Sequence, residues 1–211
     1  MFKNILDELT SIYAKELSLV ESNVTTEEIA ILKHLNFVTE ELKKLKKELK
    51  IIEITPKTKP VVSYLNEISP ENKANNYQKL TKHLKKLSSK LYWRYGYQNP
   101  SPEMIEKYAY TEVIGPEGPI YSENLIIGFV LLAPNFYYPK HRHTEIEESY
   151  LFLNGKTFYN EQLILAERSF ILNKAGRVHE LKSGLEKPTL ILYSWKMAGD
   201  GSLKDYQLNL D

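Results

Sequence analysis

The sequence predicts a mainly β chain, a sandwich or barrel of short strands, with an α-helical segment in front of it. Two patterns carry this. Up to about residue 90 the apolar residues recur at helical spacing. From about residue 107 they gather in short β-rich runs separated by Gly, Pro and Asn, with no room for βαβ units. Length sets the scale: 211 residues suit one domain, or one domain with a helical extension, and can bury an ordinary core. The pattern changes near residue 91. Residues 1–90 are therefore expected to form a helical segment packing on the barrel, and residues 91–211 the barrel.

Taken in order, Phe2, Ile5, Leu6, Leu9, Ile12, Tyr13 and Leu17 mark an amphipathic helix over residues 2–20. Thr25-Thr26-Glu27-Glu28 reads as an N-cap with acids in the first turn. It opens a second helix through Ile29, Leu32, Leu35, Val38, Leu42 and Leu45. The Lys-rich end of that helix, residues 43–50, reads as a solvated face with cations near the C-terminal dipole, in preference to a nucleic-acid or membrane patch. Thr55 to Pro60 forms a linker. Ser69-Pro70 then supplies a cap with proline in the first turn, and a third helix is expected over about 70–90. His34 and His83 fall inside helices and read as ordinary surface or packing residues. The aromatic run Leu91 to Tyr97 is expected to cover one end of the barrel. Strands are expected over 108–114, 125–133, 148–153, 169–173 and 189–195.

Composition narrows the chemistry. A net charge of +1 gives no global electrostatic case for nucleic acid. No cysteine is present, which removes disulfides, thiolate metal sites and a cysteine nucleophile, and leaves His, carboxylate and Tyr as ligands. The N-terminal residues carry acids where a signal peptide needs an apolar run, and no stretch approaches the length of a membrane span. A cytoplasmic protein with neither membrane nor nucleic-acid partner is expected.

The densest chemistry lies in Tyr138-Pro139-Lys140-His141-Arg142-His143, followed by Glu148 and Tyr150. Two of the five histidines stand one residue apart. On a strand both would face one side, and Glu148 and Tyr150 repeat the same i, i+2 relation. A further histidine, His179, ends Gly176-Arg177-Val178-His179. Together these runs read His-x-His-(x)4-Glu-(x)6-Gly and Gly-x-x-His, and they resemble the two signature motifs of cupins. The resemblance implies a double-stranded β-helix, or jelly-roll barrel, with one metal ion in its mouth.

His141, His143, Glu148 and His179 are then the expected ligands. Three imidazoles and a carboxylate suit one divalent ion among Fe(II), Zn(II), Mn(II), Ni(II) and Co(II), with positions left for substrate. Glu147 is the rival carboxylate; strand alternation favours Glu148, which shares a face with Tyr150. A phenol beside a divalent cation loses its proton more readily, so Tyr150 is the candidate general base.

Further pieces make the likeness more specific. Gly115-Pro116-Glu117-Gly118-Pro119-Ile120, Leu131-Leu132-Ala133-Pro134, Glu148-x-Tyr150-x-x-Leu153-x-Gly155 and Leu192-Tyr193-x-Trp195 stand in order around the histidine motif. Residues 93–205 resemble the cupin-type dimethylsulfoniopropionate (DMSP) lyases of marine bacteria. That family usually leaves three residues between the second histidine and the glutamate, whereas Glu148 leaves four here, as a one-residue insertion in the turn would. The resemblance implies cleavage of DMSP to dimethyl sulfide and acrylate, with a metal on the substrate carboxylate, Tyr150 as base, and Tyr138 and Trp195 as substrate-binding aromatics. A homodimer is also expected, since cupins often pair. The competing readings on the same scaffold are a dioxygenase or isomerase acting on another small carboxylate or sugar, and a non-catalytic ligand-binding cupin.

Overall fold

The computed structural model describes residues 2–20, 26–69, 75–164 and 169–206. The helical segment comprises α1 (Phe2–Val20), α2 (Thr26–Lys47) and α3 (Asn75–Leu87), with a 3-10 turn at Pro60–Asn66 between the last two. The expected cap at Thr25 and the proline at position 70 lie outside the described residues. A one-and-a-half-turn helix, α4 (Pro102–Lys107), precedes the long strands, capped by Ser101, whose hydroxyl accepts from the Met104 amide at 3.2 Å.

The strands are β1 (Trp93–Arg94), β2 (Tyr108–Gly115), β3 (Ile120–Tyr121), β4 (Ile126–Leu132), β5 (Tyr137–His141), β6 (Ile146–Asn154), β7 (Thr157–Tyr159), β8 (Gln162–Ile164), β9 (Phe170–Asn173), β10 (His179–Ser183) and β11 (Thr189–Met197). They form a large sheet in the order β1-β2-β4-β11-β6-β9, with β3 beside β2, and a smaller sheet in the order β5-β10-β7-β8. The pairing is antiparallel except where β3 meets β2. This is the cupin double-stranded β-helix with its N-terminal helices.

The large sheet is buried on both faces, and its period-two alternation sorts two kinds of core. One parity presents Val113, Phe129, Leu131, Leu151, Leu190 and Leu192 to a cluster shared with Leu6, Leu9, Leu35, Leu42 and Leu84 of the helices. The other presents Tyr110, Val130, Tyr150, Phe152, Tyr193 and Trp195 to the barrel interior. Gly155 closes the turn after β6 at φ +85°, where a Cβ would lie 2.5 Å from the Pro188 carbonyl oxygen.

Several sequence expectations change in detail. The segment after α2 is not a free linker: Ile51 bridges Ile120 and Lys57 bridges Tyr92, so the chain runs along the barrel edge as a short extended strap. The Lys-rich end of α2 is a solvated face whose cations pair with acids: Lys43 with Glu40 at 2.8 Å, Lys44 with Glu41 at 2.6 Å and Lys46 with Asp7 at 2.6 Å. In the aromatic run, Trp93 is fully buried in the helix-facing core, while Tyr97 meets Tyr138 edge-on at the barrel interior. No helix among the described residues is long and apolar enough to cross a membrane.

Candidate metal centre

The two sheets approach each other where β5 and β10 face β6 and β11, and four metal-ligating side chains converge there. His141 ends β5, Glu148 lies on β6 and His179 opens β10. His143 departs from expectation, because β5 stops at His141 and His143 stands in the turn beyond it. The turn still delivers it to the same place. One ligand atom from each of the four residues lies within 4.8 Å of every other, and all four residues are buried. Glu147 points the opposite way and takes no part.

Their hydrogen bonds prepare this set for a cation. The Nδ1–H of His141 donates to the Pro139 carbonyl at 2.9 Å, and that of His179 to the Arg177 carbonyl at 3.1 Å. Since a carbonyl only accepts, each ring carries a proton on Nδ1 and has Nε2 left to meet a cation. His143 Nδ1 is 3.4 Å from the Tyr206 hydroxyl. Glu148 is fixed at both oxygens: the Trp195 indole N–H donates to Oε1 at 2.6 Å, and the Asn173 amide to Oε2 at 3.2 Å. Asn173 is held in turn by the Tyr159 hydroxyl at 2.5 Å.

The electrostatics agree. Burial lowers the pKa of His141 to about 3, helped by neighbouring His179, and burial lowers His143 as well. Both rings are therefore neutral at physiological pH. Burial alone would raise Glu148, but the imidazoles of His143, His179 and His141 overcome it and hold the carboxyl at about 2. Three buried imidazoles and a carboxylate held in its ionised form fit a divalent transition ion.

A pocket opens in front of His141, His143 and Glu148, and Tyr108, Tyr110, Val130, Tyr138, Tyr150, Tyr193 and Trp195 complete its lining. No lysine or arginine lines it among the described residues. The Tyr150 hydroxyl is 3.2 Å from His179 Nε2. Burial, reinforced by the Glu148 charge, raises its phenol well above the ordinary value, so the phenol is protonated in the protein alone. Tyr138 stacks on Tyr108 with ring centroids 4.7 Å apart and lies edge-on to His141. The Trp195 ring lines the pocket while its N–H is committed to Glu148.

Sequence reasoning missed Asn173, Tyr159 and Tyr206 as supports, and Tyr108, Tyr110 and Tyr193 as pocket walls. It also took His34 for an ordinary packing residue. His34 is fully buried and bonded through both ring nitrogens, to Glu147 and Ser194. His83 stays half-buried on α3.

The profile of the dimethylsulfoniopropionate lyase family matches residues 34–191. A candidate dimethylsulfoniopropionate lyase of Cereibacter sphaeroides, DddL, is 39% identical over 140 residues; the match covers 66% of this chain and 60% of that protein's length. The crystal structure of the DMSP lyase DddQ from Ruegeria pomeroyi superposes with a TM-score of 0.70 at 20% identity, over 98% of this chain and 96% of that one. A structure from a study of the DMSP lyases RdDddP and RnDddQII superposes with a TM-score of 0.63 at 20% identity, over 77% of this chain and 88% of that one. At such identities the structural matches speak to the fold alone.

Proposed function

This chain belongs to the dimethylsulfoniopropionate (DMSP) lyase family, and on that premise we propose that it cleaves DMSP to dimethyl sulfide and acrylate. One observation carries the reading. A phenol, Tyr150, stands 3.2 Å from His179 Nε2, inside a pocket where four donors lie within 4.8 Å of one another. His141, His143, Glu148 and His179 would hold a divalent ion. When bound, that ion would supply Lewis-acid stabilisation of the charge developing on the substrate carboxylate, and would favour the phenolate of Tyr150.

The remaining steps belong to the chain's own residues. Tyr150 takes the proton from the carbon next to the carboxylate. The electrons of that C–H bond form the double bond of acrylate, and the carbon–sulfur bond breaks, so that sulfur leaves with its pair as neutral dimethyl sulfide. The faces of Tyr108, Tyr138, Tyr193 and Trp195 suit a sulfonium cation. Because no cationic side chain lines the pocket among the described residues, the substrate carboxylate has no side-chain counter-ion to draw it away from the histidine cluster. The carbonyl contacts of His141 and His179 hold their rings in orientation, and Trp195 and Asn173 keep Glu148 in place.

The test is headspace gas chromatography for dimethyl sulfide after metal-loaded protein meets DMSP. The wild type is expected to release it, and Tyr150→Phe to lose turnover by about 100-fold or more, the scale of a missing general base, while keeping its metal. An active, metal-loaded Tyr150→Phe enzyme removes the proposed base. A metal-loaded wild type that releases no dimethyl sulfide removes the substrate.

A further inference from the structure

His34 has no part in the chemistry above, yet it is fully buried on α2 beneath the outer face of the large sheet. Its Nδ1 lies 2.9 Å from Glu147 Oε1, and its Nε2 lies 2.9 Å from Ser194 Oγ. Glu147 belongs to β6 and Ser194 to β11, which are adjacent strands, so one ring spans both. The Glu147 carboxyl group, which also meets Lys196, presents an acceptor oxygen to the ring. Nδ1–H therefore donates to it, Nε2 accepts from the Ser194 hydroxyl, and Ser149 donates to Ser194 at 2.6 Å. Lys196 reaches the same Glu147 oxygen at 3.2 Å. The fully buried Tyr13 phenol on α1 faces the two serines.

The connectivity Ser194–His34–Glu147 is that of a hydrolase triad. Burial rules that use out: His34 and Ser194 are both wholly inaccessible, and neither lines the pocket, so no acyl group reaches the hydroxyl. What remains is a strut. Its position gives it a purpose, because the register of β6 against β11 pairs Glu147 with Lys196, Glu148 with Trp195, and Ser149 with Ser194. The strut grips the rungs on either side of the Glu148–Trp195 rung, from the opposite face of the sheet.

We propose that His34 is a positioning residue for Glu148. The helical segment, through this one ring, locks β6 to β11 where the inward carboxylate and its indole donor stand opposite each other. The proposal rests on the reading of Glu148 as a metal ligand. Partners that orient a ligand from outside the coordination shell commonly change metal affinity by about 10–100-fold. A shift of β6 carries the Glu148 Cα with it, since a single planar peptide unit joins Glu147 to Glu148.

The experiment titrates full-length protein with Co(II), following the d–d absorption band, in wild type, His34→Ala, His34→Gln and Glu148→Gln, with circular dichroism to check folding. His34→Ala is expected to bind Co(II) at least about tenfold more weakly with a displaced band. His34→Gln, whose amide both donates and accepts, is expected to recover affinity and spectrum. A folded His34→Ala protein with wild-type affinity and band overturns the proposal. If His34→Ala does not fold, Ser194→Ala, which removes one anchor, takes its place: weakened Co(II) binding supports the strut and unchanged binding overturns it. Glu148→Gln separates the two readings. If it binds Co(II) as the wild type does, the ligand assignment falls and this proposal with it. If it loses Co(II) while His34→Ala keeps it, the positioning proposal alone falls.

Discussion

Trp195→Phe isolates one hydrogen bond at the centre of the site. The change keeps an aromatic ring in the pocket wall and removes the indole N–H, which donates to Glu148 Oε1 at 2.6 Å. The other contacts to this carboxylate, from Asn173, His179 and His143, all fall on Oε2. Glu148 is only 2% exposed, so water cannot replace the lost donor. A hydrogen bond to a charged group contributes about 1.5–3 kcal/mol when its loss leaves the partner buried. In a chain of this size each kcal/mol moves Tm by about 2–4 °C, so the metal-free variant should melt roughly 3–12 °C lower. The pH dependence carries a sign as well. A carboxyl held at about 2 stabilises the fold above its ordinary range, near 4.3, and that stability fades as pH falls toward 2. Removing a donor to the ionised form raises the folded-state pKa, so acid unfolding should begin at higher pH in the variant. Adding Co(II) should narrow the gap, because a bound cation satisfies the carboxylate. Calorimetry in chelator and in Co(II), from pH 2 to 8, makes the comparison. Equal melting temperatures for both proteins in chelator at pH 6 would refute the idea that the indole N–H holds Glu148.

Three other outcomes are expected. Glu112 is 7% exposed, and burial raises its carboxyl to about 7 despite the opposing pull of Arg94. The fold thus favours the neutral form; its contribution is full below about 4.3, is lost as pH rises through 7, and amounts to roughly 3 kcal/mol. Glu112→Gln should flatten that decline in urea melts at pH 5 and pH 8, and an unchanged slope counts against the assignment. Tyr206→Phe removes the hydroxyl 3.4 Å from His143 Nδ1 and should weaken Co(II) binding several-fold, within the range of about 10–100 for such partners at most; unchanged binding means that the contact does not orient the ring. Residues 91–211 expressed alone would expose Phe129, Leu131, Leu151, Leu190 and Leu192, each costing about 1.5–3 kcal/mol. That is as large as the whole reserve of a typical domain, about 5–15 kcal/mol, so no cooperative melt is expected, and a soluble barrel that binds Co(II) would contradict this.

The parts of this molecule that can be read from sequence are those encoded locally. The long strands β2, β4, β6 and β11 appear as apolar runs between turn residues, and the cluster of His141, His143, Glu148 and His179 is read from the resemblance of their two motifs to those of cupins. The strands β7, β8 and β10 run only three to five residues. They are too short for alternation to stand out, and register against neighbours defines them. Asn173, Tyr159 and Tyr206 escape notice because each acts through a partner far along the chain. The rank of His34 as a packing residue has the same origin: its partners lie 113 and 160 positions away. A lone histidine on a helix carries no local mark of either.

The choice between Glu147 and Glu148 shows how such distant contacts settle a local ambiguity. A slip of one residue in β6 would exchange the faces of the whole strand. Glu147 and Ser149 would enter the pocket, while Glu148 and Tyr150 would turn toward Leu35, Leu42 and the other aliphatic side chains under the helices. Glu148 would then lose the imidazoles and the indole N–H that hold it now, and His34 and Lys196 would lose the Glu147 carboxylate. In the observed register each charge has its partner. Glu147 meets His34 and Lys196 outside, Glu148 meets three imidazoles and an indole N–H inside, and the serine pair joins the strands between helix and barrel. From Ile146 onward, then, both faces of β6 already have fixed partners.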